Sequence, residues 1–218
     1  STVLGWATIF TTHVDSHQTA FVLPQRLGCW SMKTTVQLDY QAILANSAQP
    51  VHLAFHFTAP GHSGHRDHPI AFSVVLDRSG SMSGEPIEAV RNGMQMLVSQ
   101  LRTDPYALET AYLSVITFGE RAKQIVPLTE LIAFNVPSIE VGTTTSLGAA
   151  LKLTKECIVR EVRTATSGVK GDWKPLVLII TDGQPTDDWR RGLNEFRQIE
   201  TGAIMACAAG PGADTSVL

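Results

Sequence analysis

The sequence is most informative at residues 70–81, which read IAFSVVLDRSGS. A mostly apolar run of seven residues is followed at once by Asp77 and then by a turn that contains Ser79, Gly80 and Ser81. An apolar run without alternation is typical of a central strand of a parallel sheet, because both faces of such a strand are buried. The stretch therefore predicts a buried strand that ends in a polar loop.

Further runs of the same kind follow along the chain, at 111–118 (AYLSVITF), 176–180 (LVLII) and 202–209 (GAIMACAA). Between them, apolar residues recur at helical spacing over 87–101 and 147–162. A third helix is expected to start with Thr186 as its N-cap and with Asp187 and Asp188 in its first turn. Strands that alternate with helices predict an α/β fold with a doubly wound, mostly parallel sheet and helices on both faces.

The part of the chain before residue 70 has a different pattern. Apolar and polar residues alternate over 35–40 and over 51–57, which predicts two antiparallel strands with one buried face. We therefore divide the chain into an unassigned segment (1–31), a short β-rich lead-in (32–60), a Gly- and Pro-containing linker (61–69) and the α/β domain (70–218).

Composition excludes several classes of protein. The chain has 218 residues, with 17 basic and 20 acidic side chains, and this balance argues against a polybasic surface for nucleic acid or membrane. No apolar run is long enough to span a bilayer, and no signal peptide is visible at the start. Cys29, Cys157 and Cys207 are odd in number and widely spaced, which is typical of reduced thiols. These observations favour a cytoplasmic protein.

Oxygen-bearing side chains follow the predicted strands at their carboxyl ends. Asp77 closes one strand, Asp182 closes another, and residues 142–148 (GTTTSLG) supply hydroxyls before a helix. In doubly wound sheets, ligands bind outside the carboxyl ends of the strands. Two carboxylates and several hydroxyls, without His or Cys, suit Mg²⁺ or Mn²⁺. Because two carboxylates only neutralise such a cation, the site favours capture of an acidic residue from a partner over activation of water.

The stretch 77–81 (DRSGS), together with Thr145 and Asp182, resembles the metal-ion-dependent adhesion site of von Willebrand factor type A domains. The resemblance covers about residues 70–210. It implies that three hydroxyls contact Mg²⁺ or Mn²⁺ and that two carboxylates hold it directly or through water. The implied metal-binding residues are Asp77, Ser79, Ser81, Thr145 and Asp182. Thr145 is preferred because it lies three residues before Gly148, and Thr143 and Thr144 are expected to cap backbone.

Within that family, residues 83–90, 107–115 and 182–189 look most like bacterial TerY-type proteins of tellurium-resistance and stress operons. The resemblance implies a non-enzymatic binding module that acts beside a kinase or phosphatase of the same operon. A full domain of the family continues with a helix, a sixth strand and a last helix, so the domain at 70–218 is expected to lack these elements. Arg78, in the variable position of the motif, is expected to point to solvent.

Two other functions share part of this pattern. A magnesium-dependent phosphoester hydrolase would use Asp77 as its first acid, but Ser79 stands where its second acid is needed, and no P-loop follows any strand. An extracellular adhesin is disfavoured by the absence of a visible signal peptide and by the unpaired cysteines. For the metal site, Asp77→Ala is expected to abolish cation binding and to leave the fold mostly intact, since the residue lies at a strand end.

Overall fold

The computed structural model describes residues 2–10, 33–38, 50–58, 68–182 and 184–209, with the backbone alone in the first three ranges. Those three ranges form a small antiparallel sheet in the order β1-β3-β2. Its strands are β1 (Thr2–Phe10), β2 (Lys33–Leu38) and β3 (Pro50–Thr58). The pairing of β2 with β3 lies where alternation predicted an antiparallel pair, whereas most of the predicted linker lies outside the described residues.

Within the described residues the main sheet has five strands in the order β6-β5-β4-β7-β8. Strands β4, β5, β7 and β8 are parallel, and β6 is antiparallel to β5. The bounds are β4 (Ile70–Asp77), β5 (Ala111–Phe118), β6 (Lys123–Glu130), β7 (Leu176–Thr181) and β8 (Ala203–Ala208). The prediction of a doubly wound, mostly parallel sheet is confirmed.

The α-helices of the described residues are α1 (Glu85–Leu101), α2 (Pro105–Thr110), α3 (Leu147–Glu161) and α4 (Trp189–Phe196). Pro86 lies in the first turn of α1, where its missing N–H costs nothing. Helix α4 begins later than predicted, because Asp188 is its N-cap and accepts a hydrogen bond from the Arg191 N–H. The prediction that Thr186 caps this helix is therefore wrong.

The side chains of β4 explain why the sheet is covered on both faces. Phe72, Val74 and Leu76 pack in one apolar cluster with α1, and Val75 packs in the opposite cluster with α3. Successive residues of a strand point to opposite faces, so a strand that is apolar at every position needs helices on both sides. The consequence is that β4 is buried along nearly its whole length and that its carboxyl end lies at the centre of the sheet edge.

Strand β1 lies in the segment left unassigned from the sequence, and one strand and one helix of the α/β domain were not predicted either. Strand β6 reads KQIVPLTE and lies at the edge of the sheet, with most of its side chains partly or fully exposed. Edge strands contain polar residues and Pro because one side faces no partner strand. Helix α2 has six residues and depends on Asp104, whose carboxylate accepts from the backbone N–H groups of Tyr106 and Ala107.

Helices α3 and α4 approach each other unusually closely through two glycines. A Cβ atom on Gly192 would lie 2.4 Å from the carbonyl oxygen of Gly148, and a Cβ atom on Gly148 would lie 2.6 Å from the carbonyl oxygen of Asp188. Real Cβ atoms are not found at such distances from backbone. The two glycines therefore let the start of α4 lie directly against the start of α3.

Two of the three cysteines lie within the described residues. Cys157 and Cys207 are free and buried, and burial raises the pKa of the Cys207 thiol to about 12. Cys29 lies outside the described residues. Across the ranges that the structure describes, no helix combines the length and the apolar character that crossing a bilayer requires.

The α3–α4 contact yields a stability prediction. Gly192→Ala should lower the free energy of unfolding by about 1–3 kcal/mol, since the added methyl group meets backbone that cannot move aside without separating the helices. Urea unfolding followed by tryptophan fluorescence measures the change. Asn194→Ala, at an exposed position of the same helix, should change stability by less than about 0.5 kcal/mol. Equal effects of the two substitutions would contradict the proposed backbone contact.

Candidate metal centre

The site is built around Asp77, the last residue of the central strand β4. Its side chain is 0% exposed. One carboxylate oxygen (Oδ1) accepts a hydrogen bond of 2.8 Å from the backbone N–H of Ser79, and the other (Oδ2) accepts one of 2.6 Å from the hydroxyl of Thr181 at the end of β7. The first bond shapes the turn after β4, and the second ties β4 to the neighbouring strand. The carboxylate is thus fixed by one contact from the turn after β4 and one from the end of β7.

Burial raises the pKa of the Asp77 carboxyl above its ordinary value, and the negative charge of Asp182 adds a smaller effect in the same direction. The hydrogen bonds from Thr181 and Ser79 act in the opposite direction because they stabilise the charged form. Burial is the largest of these influences, so the hydrogen bonds compensate the buried charge only in part. A cation beside Asp77 would supply the remaining compensation.

A chain of hydroxyls connects the turn after β4 to Asp182. The hydroxyls of Ser79 and Ser81 are 3.1 Å apart, and the Ser81 hydroxyl donates to Oδ2 of Asp182. The other oxygen of Asp182 accepts a bond of 3.3 Å from the backbone N–H of Gln184. Both carboxylates and both serines therefore converge at one point on the carboxyl edge of the sheet.

The loop that carries Thr145 lies against the same turn. The backbone N–H of Gly142 donates to the carbonyl of Arg78, and the N–H of Gly80 lies 3.5 Å from the carbonyl of Thr143. Thr145 is only 4% exposed. Among the residues that the structure describes, its hydroxyl has no hydrogen-bond partner. The hydroxyl oxygen is therefore available as a ligand for a cation. Thr143 is not a backbone cap, because its hydroxyl donates to the Glu120 carboxylate at 2.7 Å.

The chemistry of these donors fits a hard divalent cation. All of them are carboxylate or hydroxyl oxygens, which Mg²⁺ and Mn²⁺ prefer. In the part of the chain that the structure describes, no group of three or more His, Cys, Asp or Glu residues is placed to hold a metal. A site here would thus contain only two acidic residues, whose two negative charges would balance the two positive charges of one divalent ion. The residues that would hold it are Asp77, Ser79, Ser81, Thr145 and Asp182.

The structure corrects the expected orientation of Arg78. Its side chain is half-buried and lies across Gly119 and Gly142, where it was expected to point to solvent. A Cβ atom on Gly142 would lie 2.8 Å from a guanidinium nitrogen of Arg78. The two glycines leave a flat surface over which the long side chain can pack, and this surface forms only when the loops meet in the fold.

The structure also corrects the expected role of Asp187. The sequence placed it in the first turn of its own helix, but its two oxygens accept bonds of 2.9 Å from the N–H groups of Gly148 and Ala149, at the start of α3. Asp187 therefore caps a different helix from the one it precedes. Nothing in the local sequence indicates this cap, since Asp187 and the start of α3 lie about forty positions apart in the chain.

Residues 73–218 match the family model of the von Willebrand factor type A domain. Because the match covers more than half of the chain, the chain belongs to this family. Domains of the family are commonly protein-interaction modules, and they often bind a divalent metal. The described five-stranded sheet with helices on both faces is consistent with this membership.

The chain is also similar to the uncharacterized protein sll0103 of Synechocystis sp. (strain ATCC 27184 / PCC 6803 / Kazusa), with 30% identity over 121 residues. The similar region covers 53% of this chain and 26% of that protein, so the chain spans about a quarter of the relative's length.

Two solved structures illustrate the structural comparison. Proximal thread matrix protein 1 from the mussel byssus is 17% identical, with a TM-score of 0.47 over 66% of this chain and 38% of that one. The vWF domain of the type V pili tip protein Mfa5 from Porphyromonas gingivalis is 16% identical, with a TM-score of 0.42 over 55% of this chain and 39% of that one.

The buried position of Asp77 changes the expectation for its substitution. Alanine would leave the Ser79 N–H and the Thr181 hydroxyl without their acceptor, at a cost of about 1–3 kcal/mol for each unsatisfied group. Asp77 does lie at a strand end, but its burial and its hydrogen bonds mean that this position gives no reason to expect an intact fold in Asp77→Ala. Asparagine keeps the shape and removes the charge. Its oxygen can still accept from the Ser79 N–H, and its NH2 group can donate to the Thr181 hydroxyl oxygen, so one of the two hydrogen bonds reverses its direction.

In the presence of EDTA, which removes divalent cations, Asp77→Asn should be at least as resistant to urea as the wild type, because the variant buries no charge at this position. With Mn²⁺ at about 100 times its dissociation constant, the wild type should gain about 2.7 kcal/mol in its free energy of unfolding, and the variant should gain none. Paired urea titrations with EDTA and with Mn²⁺ measure both effects. An equal gain in the two proteins would show that Asp77 takes no part in cation binding.

Proposed function

We propose that the chain is a divalent-cation-dependent protein-binding module whose metal-ion-dependent adhesion site captures an acidic residue of a partner. The observation that carries the proposal is the hydrogen-bonded convergence of Ser79, Ser81 and Asp182 beside the buried Asp77 carboxylate. These residues come from two loops and present only oxygen donors. The proposed cation is Mg²⁺ or Mn²⁺.

Each residue has a distinct part in this proposal. Asp77 and Asp182 balance the charge of the ion, and the hydroxyls of Ser79, Ser81 and Thr145 add donors without adding charge. A bound cation supplies an electrophilic centre for one more oxygen ligand. Since the protein offers no third carboxylate at this point within its described residues, a partner's Asp or Glu is the matching ligand.

The burial of Asp77 favours this function over phosphoester hydrolysis. A nucleophilic aspartate must present an oxygen to its substrate, but Asp77 is 0% exposed and both its oxygens accept hydrogen bonds. Ser79 also stands two residues later, where such a hydrolase needs a second acid. We accordingly propose a non-enzymatic role.

The cellular setting is proposed from the sequence resemblance to TerY-type proteins. On this basis we propose that the chain acts in the bacterial cytoplasm, in stress or tellurium-resistance signalling, with a kinase or phosphatase of the same operon as partner. The basic-to-acidic balance of 17 to 20 gives no reason to propose nucleic acid or a membrane surface as a partner.

Calorimetric titration with Mn²⁺ and Mg²⁺ tests the metal site. The wild type should bind one ion, and Ser79→Ala and Asp182→Asn should each weaken binding by at least about tenfold, because each removes an oxygen donor or a charge from the site. Ser83→Ala is the matched control, since Ser83 follows the same turn and is exposed. Circular dichroism verifies folding, and unchanged binding in both site variants would contradict the proposal.

An immobilised array of short peptides tests the capture of a carboxylate. Each peptide carries one Asp or Glu in a neutral background, and its partner on the array carries Asn or Gln at that position. We expect binding to acidic peptides in Mn²⁺, loss of binding in EDTA, and little binding to the amide peptides. Binding that persists in EDTA would indicate a surface unrelated to the cation.

A further inference from the structure

Thr186, in the loop after β7, holds the backbone of Thr145 on both sides. Its N–H donates to the Thr145 carbonyl at 2.8 Å, and its hydroxyl lies 3.2 Å from the same oxygen. The Thr145 N–H in turn lies 3.3 Å from the Thr186 hydroxyl oxygen. Both backbone polar groups of Thr145 are thus bound by one residue, while the hydroxyl of Thr145 stays available.

The next residue, Asp187, fixes the segment that follows Thr145. Its carboxylate accepts from the N–H groups of Gly148 and Ala149, which begin α3. Ser146 occupies the N-cap position of this helix, but its hydroxyl bonds the Gly119 carbonyl and caps nothing. Asp187 therefore replaces the local cap, and its negative charge suits the positive end of the helix. We call Thr186 and Asp187 the 186–187 clamp.

The clamp itself is held in place by α4. Asp188 caps that helix, and Gly192 in its first turns touches the backbone of Gly148. The clamp also lies only four positions after Asp182, so one loop carries both a proposed metal ligand and the residue that holds another proposed ligand. The loop after β7 can thereby set the spacing between Asp182 and Thr145.

We propose that Thr186 and Asp187 are positioning residues that orient the Thr145 hydroxyl toward the cation, without touching the cation themselves. The inference rests on the proposed metal site. Without the clamp, the backbone of Thr145 would have to be ordered when the ion binds, and this ordering would weaken affinity. Residues that orient metal ligands typically change affinity by about 10–100-fold.

Substitutions at Thr186 test the hydroxyl. Thr186→Val keeps the shape and removes both side-chain hydrogen bonds, and it should weaken Mn²⁺ binding by about tenfold or more in calorimetry. Thr186→Ser restores the hydroxyl and should bind within about threefold of the wild type, as expected for a retained hydrogen bond. Thr143→Val is the control, since it removes a neighbouring hydroxyl that bonds Glu120, and it should leave affinity unchanged.

Substitutions at the two adjacent aspartates distinguish the positioning of Thr145 from a general effect of negative charge on Mn²⁺ binding. Asp187→Asn and Asp188→Asn each remove one negative charge from a helix cap. Only the Asp187 side chain hydrogen-bonds the segment after Thr145, whereas the Asp188 side chain bonds the Arg191 N–H of its own helix. We expect Asp187→Asn to weaken Mn²⁺ binding and Asp188→Asn to leave it nearly unchanged. Both side chains are at least partly exposed, so these variants test the inference even if Thr186→Val fails to fold. Equal losses would overturn it.

Hydrogen exchange in EDTA tests the clamp without any metal. Thr186→Val should speed amide exchange across residues 145–149, and Thr186→Ser should leave it near the wild-type rate. Unchanged exchange in the valine variant would overturn the inference. Wild-type Mn²⁺ affinity in the valine variant would also overturn the inference, but it would leave the proposed metal site unaffected. A wild type that binds no Mn²⁺ in its own titration would overturn the metal site and, with it, the positioning role.

Discussion

The buried carboxylate of Asp77 is the feature on which the arrangement at the sheet edge depends. It lies at the end of a strand covered on both faces, and it accepts hydrogen bonds from the loop that follows it and from the end of β7. A buried charge is costly unless polar groups surround it. That requirement explains why polar groups from the loop after β4 and from the end of β7, and not apolar side chains, gather at this point.

The contact between α3 and α4 is the second constraint on the site. Gly148 and Gly192 let two backbones meet where any larger residue would separate them. With the helices this close, Asp187 can reach the N-terminus of α3, and Thr186 can reach Thr145. Packing between two helices on one face of the sheet thus determines the geometry of a loop at its edge.

Much of the fold could be predicted because burial leaves a strong pattern in the sequence. The β5 run at 111–118 was predicted with the bounds that the structure has, since a strand buried on both faces is mostly apolar and does not alternate. Strand β6 was not, because an edge strand mixes polar and apolar residues. The start of α4 was misplaced because Thr186 and Asp187 resemble local helix caps, while their actual partners lie in another segment.

By itself the sequence determined the alternation of strands and helices and the five oxygen-bearing residues proposed as a metal site. The alternation and the placement of Asp77, Asp182 and several hydroxyls after the strands follow from local composition. The choice of the five residues is what the resemblance to the adhesion site implies. Only the tertiary structure decided that Asp77 is wholly buried, that Arg78 lies across two glycines, and that Asp187 caps α3. The reason is physical: each of these depends on contacts between segments far apart in the chain, and hydrogen bonding or close packing at such distances leaves no periodicity in the sequence.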